Sequence, residues 1–130
     1  MNALVGASGR TYTPLPIDGS RGFPQSFPLL FAGRTYQFRL YVNVPAASLK
    51  DKTAVLDLPT AESFLVVQVE VESPAATRET QFLRKVVPDL EYEAENIALV
   101  FTRQRVAVRN LNGQGDFGSQ VIGGIAPRWA

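Results

Sequence analysis

The chain has 130 residues, 45% hydrophobic and 19% charged, with a net charge of +1. That length suits one domain with a modest core, and that balance excludes a disordered chain and a general positive field for nucleic acid. The absence of Cys and His excludes disulfides, Cys/His metal sites, and Ser-His-Asp or Cys-His catalytic groupings within one chain.

The first ten residues lack the basic start and apolar run of a secretory leader, and no apolar stretch of about 18 residues occurs. The expectation is a protein made in a cytoplasm, used there or in a particle assembled there, with no membrane segment. Glycine then divides the chain. Gly6, Gly9, Gly19 and Gly22 lie near the start, Gly113, Gly115, Gly118, Gly123 and Gly124 near the end, and 34–112 has none. Glycine loses the most backbone entropy on ordering, so such ends order poorly alone. The spacing predicts an N-terminal arm over 1–26, a β body over 27–111 and a C-terminal arm over 112–130.

Within the body, 27–31 reads as a short strand and Ala32-Gly33-Arg34 as a hairpin turn. Residues 35–44 alternate, with Tyr36, Phe38, Leu40, Val42 and Val44 on one face and Gln37, Arg39, Tyr41 and Asn43 on the other. The stretch 46–52, bounded by Pro45 and Pro59, predicts one or two helical turns. Residues 64–72 alternate again through Leu65, Val67, Val69 and Val71. Strands follow at 81–87, ended by Pro88, and at 97–101, continuing into 106–108 after a bulge or bend. The fold expected is all-β: a small antiparallel β-sandwich or partly open barrel with extended Gly-rich arms.

Candidate chemistry is sparse. Asp89, Glu91, Glu93 and Glu95 would share one face of a strand, about 7 Å apart. They suit a hard cation, a catalytic carboxylate pair, or simply a solvated or Arg-paired face. Gly113-Gln-Gly115-Asp-Phe-Gly118 spells G-x-G-x-x-G, but the glycines and Pro127 beyond it predict no helix to complete a phosphate site. Arg is used far more than Lys, ten against three, which suits bidentate contacts with carboxylates. Arg103, Arg105 and Arg109 would fall on one side of an extended segment, facing a partner's acidic surface or pairing with carboxylates of their own chain. Trp129 beside Arg128 is either an interface anchor or a filler of the chain's own core, and Phe23 and Phe117 pose the same choice. Phe23, Arg103, Arg105, Arg109, Phe117, Arg128 and Trp129 are therefore the candidate partner-binding residues. No cofactor, metal or catalytic residue is expected.

The run Phe27-Pro-Leu-Leu-Phe-Ala-Gly-Arg-Thr-Tyr-Gln-Phe-Arg-Leu-Tyr41 resembles the opening of phage baseplate plug-type proteins: an apolar strand, a Gly-Arg turn and an alternating aromatic strand. The strands at 64–71 and 97–102 are compatible with it. The stretch 73–80 and the Gly-rich C-terminal segment depart from it. The resemblance implies a non-enzymatic structural subunit of a phage tail or baseplate, assembled in the host cytoplasm. It would pack against other virion proteins as a homo- or hetero-oligomer through its arms, with no nucleic acid, membrane or small-molecule substrate. The alternatives are a capsid decoration protein, a carbohydrate-binding module using Tyr41 or Phe64 beside carboxylates, and a Ca²⁺ module at 89–96.

Overall fold

The structure, a computed structural model, describes residues 3–72 and 77–129. Part of the 73–80 stretch and the first two residues of the 1–26 segment lie outside the described residues. Among the described residues ten strands follow in chain order: β1 (Leu4–Val5), β2 (Thr11–Pro14), β3 (Gln25–Phe31), β4 (Arg34–Asn43), β5 (Val55–Asp57), β6 (Phe64–Glu72), β7 (Arg78–Val86), β8 (Glu91–Ala94), β9 (Ile97–Ala107) and β10 (Gln120–Pro127). They form two antiparallel sheets packed face to face, so the sandwich expectation holds. Among the described residues the sheets do not close into a barrel.

Alternation builds the first sheet, β3-β4-β6-β7. The register sets Tyr36 opposite Val71, Phe38 opposite Val69, Leu40 opposite Val67 and Val42 opposite Leu65. All but the partly buried Val42 are buried, and the period of two turns Gln37, Arg39 and Tyr41 outward. Phe27 stacks on Phe38, ring centroids 5.2 Å apart. Burying each such side chain contributes about 1.5–3 kcal/mol. On the edge strand β7, Arg84 lies inward-facing over the Tyr92 ring, 5.2 Å from its centroid. A charge there makes the edge a poor template for strand addition.

The second sheet runs β1-β2-β10-β9-β5, and β8 pairs with the edge of β9 that β5 also uses. The strand expected at 97–101, continuing after a bulge or bend, runs on to Ala107 as β9 and carries a bulge. Ile122 opposes Arg103 and Gly123 opposes Phe101, so Thr102 is the extra residue of a bulge. The bulge shifts the phase, and Ile97, Leu99, Phe101, Gln104 and Val106 are all buried.

The two segments expected as arms are placed differently. Gln120–Pro127 is a strand paired with β9 along its whole length, and Thr13 and Pro14 pair with Ile125 and Gly124. The reason is close approach, not backbone freedom. A Cβ on Gly123 would stand 2.6 Å from the Phe101 ring, and one on Gly124 would stand 2.7 Å from Tyr12 Cβ. Gly123 therefore leaves room for the ring of its cross-strand neighbour Phe101 and for Leu15, and Gly124 lets the N-terminal hairpin lie on the outer face of β10. That hairpin, β1 and β2, continues the sheet from β10 and folds over its outer face: Tyr12 is fully buried with Ala98, Val100 and Ala126, and Leu4 packs beside them. Phe23 is a core residue at 2% exposure, held by a bridge to Leu111. The expected helical turns at 46–52 appear as one 3-10 turn, Ala46–Leu49.

Candidate functional site

The acidic run is divided by its own backbone. Asp89 and Glu95 sit in turns at φ 68° and 51°, so only Glu91 and Glu93 project from β8. Both meet the N-terminal hairpin. Glu91 accepts hydrogen bonds from the Tyr12 hydroxyl at 2.6 Å, the Ser8 hydroxyl at 2.7 Å and the Ser8 N–H at 2.8 Å. Arg10 donates to Glu93 at 3.2 Å and to the Arg128 carbonyl at 3.1 Å. The Tyr12 and Ser8 hydrogen bonds hold the Glu91 carboxyl below the usual carboxylate range. Burial, then the hydrogen bond to Glu91, pushes the Tyr12 hydroxyl above its ordinary value. Little beyond the β-prone Thr11-Tyr12-Thr13 marks this clasp in the amino-acid order. Among the described residues no group of three or more carboxylates is placed to hold a metal ion.

The Gly113–Gly118 segment is no phosphate cradle. Asn110, fully buried, donates to the carbonyls of Gly113 and Gly115 and accepts from the Ser119 hydroxyl. A strand follows, so there is no helix N-terminus to receive an anion.

Of the seven residues expected at a partner surface, Phe23 is the correction: its ring fills the core because its N–H donates to the Asn110 carbonyl and its carbonyl accepts from the Asn112 N–H, a bridge that flanks Leu111. The others are at the surface. Arg103 and Arg105 share the outward face of β9, bonded to Gln120 at 3.2 Å and Asp57 at 3.1 Å. Arg109 lies in the following 3-10 turn, Val108–Asn110, over the Phe117 ring at 5.5 Å. Arg109 and Phe117 line a shallow depression with Ala107, the next outward position of β9. Arg128 lies 4.6 Å over Trp129, which is 75% exposed. The alternative of a core-filling Trp129 is thereby overturned.

Two hollows mark the ends of the sandwich. The larger, about 870 Å³ and widely open, is lined by polar groups including Arg34, Glu72, Glu79, Glu95 and Asn96. The smaller, about 320 Å³ and as widely open, is lined by apolar groups, among them Phe23, Val42, Leu49 and Leu111, together with polar ones such as Asn43 and Asn112. No helix among the described residues is long and apolar enough to cross a membrane.

No protein-family model, curated protein or solved structure matches the chain.

Proposed function

We propose that the protein is a non-enzymatic structural subunit of a phage tail or baseplate, packing against neighbouring virion proteins through its folded surface. The observation that carries the assembly role is the exposed Trp129 stacked on Arg128. Trp and Arg are the residue types most enriched at interface hot spots, and a 75% exposed indole has most of its surface still to bury. The Arg103, Arg105 and Arg109 side with Phe117 is a second polar-aromatic surface of the same kind. The resemblance over residues 27–41 supports the phage setting. The non-enzymatic reading is supported by the lack of His and Cys and by the engagement of Glu91 and Glu93 with the N-terminal hairpin.

Quantitative mass spectrometry of purified particles tests this reading. A few copies per particle are expected. Hundreds would make the protein a capsid decoration protein, and its absence would remove the virion role.

One observation favours a second reading, a carbohydrate-binding module. On the outer face of the first sheet, Ser26, Gln37, Arg39, Gln68 and Glu70 line a depression of about 250 Å³, and Tyr41 follows Arg39 on the same face of β4. Amides and carboxylates bond sugar hydroxyls, and an aromatic ring takes the C–H face. Phe64 is less suited, since Lys85 covers its ring at 3.9 Å. Heat released on titration with oligosaccharides would support this reading.

A further inference from the structure

Two features of the surface match each other in chemistry and lie at opposite ends of the sandwich. The first is Trp129, the only Trp of the chain. It is exposed but not loosely held. The Arg128 N–H bonds the Asn96 carbonyl at 3.0 Å, and Arg128 Nη1 donates to the Glu95 carbonyl at 3.3 Å. The Arg128 guanidinium then stacks on the indole. An anchor fixed in this way loses little conformational freedom on docking.

The second is the apolar hollow of about 320 Å³. Partly buried Val42, Leu49 and Leu111 supply the accessible apolar lining, beside the core residue Phe23 and the exposed Asn43 and Asn112. Its volume is at the low end for a ligand pocket, the scale of one large aromatic group. The exposed amides offer acceptors for an indole N–H.

The indole cannot enter this hollow in its own chain. Arg34, at the start of β4, lines the same polar hollow as Asn96, to which Arg128 is bonded. Asn43, at the end of β4, borders the apolar one. A ten-residue strand separates the two ends by roughly 30 Å at about 3.3 Å per residue.

We infer that Trp129 of one copy docks into the Phe23–Val42–Leu49–Leu111 hollow of a second copy. Anchor and socket are different patches, so the contact is heterologous: each added copy leaves one free anchor and one free socket, and the array closes as a ring or grows as a stack. This contact stands on its own observations. If it fails, packing against other virion proteins remains open. If particles lack the chain, the virion role falls and the homotypic contact remains.

The test uses the full chain, because Trp129 is its single indole and can be excited selectively over the four Tyr. Emission maximum, acrylamide quenching and sedimentation velocity are followed across the soluble concentration range. The expected result is a blue shift and reduced quenching as mean mass rises. Trp129→Ala keeps the socket without the anchor. Leu49→Arg keeps the anchor but blocks the socket, and Asn43→Lys, at an exposed position, is a second blocking variant should Leu49→Arg misfold. Each variant alone is expected to be monomeric. Mixing Trp129→Ala with a blocked-socket variant should give a one-to-one heterodimer that grows no further, with blue-shifted emission. Monomeric wild type with red, readily quenched emission throughout would overturn the inference. So would association that survives the Trp129 and socket variants, or a mixture that forms no heterodimer.

Discussion

The Tyr12 hydroxyl donates a 2.6 Å hydrogen bond to Glu91 Oε1, joining residues 79 apart in sequence. It fastens the N-terminal hairpin over Ala98, Val100 and Ala126 on the outer face of the second sheet. Tyr12→Phe keeps the buried ring and removes only the donor to a charged acceptor, a change that costs about 1.5–3 kcal/mol. Tyr12→Ala also empties the site under the hairpin and should cost about 3–5 kcal/mol. Urea unfolding of the two variants, read as midpoint and slope, separates the hydroxyl from the ring.

The same pair sets a pH dependence. Glu91 is held below its ordinary carboxylate value in the folded state. Its contribution is therefore complete above about pH 4.3, the unfolded value, and is lost as pH falls through the lower folded value. Tyr12 is raised in the folded state, so its contribution is complete below about pH 10 and is lost as pH rises through the higher folded value. The stability difference between wild type and Glu91→Gln should thus be widest near neutrality and narrow in acid. A difference that stays constant down to pH 2 would contradict this assignment.

Gly123 gives a test by sign. In a free arm, Gly→Ala restricts the unfolded chain and stabilises by about 0.4–1 kcal/mol. In the sandwich, the added methyl meets the Phe101 ring and Leu15, and overpacking of that kind costs about 1–3 kcal/mol. Gly123→Ala should lower the thermal midpoint.

Asp57 provides a contrast. Its ion pair with Arg105 is solvent-exposed on both sides, so Asp57→Ala should change the urea midpoint by no more than about 1 kcal/mol. A larger loss would mean that β5 depends on the pair for its place beside β9.

How much of this was legible in the sequence depended on side-chain contrast. β4 and β6 could be read from their alternation because one face packs on the core and the other meets water. β10 could not, because Gly123 and Gly124 remove the side chains that would mark its two faces, and the need for glycine arises from Phe101 and Tyr12, both distant in sequence. Phe23 looked like an arm residue because it follows Gly22, whereas its position is fixed by Asn110, Leu111 and Asn112. The charges of 89–96 were visible, but their partners Ser8, Arg10 and Tyr12 lie some eighty residues away. The outward grouping of Arg103 and Arg105 followed from spacing. Their partners did not, since the bulge at Thr102 and the pairing with β5 are tertiary features.

Both glycine-rich ends carry strands of the sandwich, so docking proceeds through a folded surface. Native-state hydrogen exchange on the isolated full chain tests this most directly. The ladder amides of Gln120–Pro127 should be protected to the level of their partners on β9. Exchange at the rate of an unstructured peptide there would contradict the account and restore the C-terminal segment as a free arm.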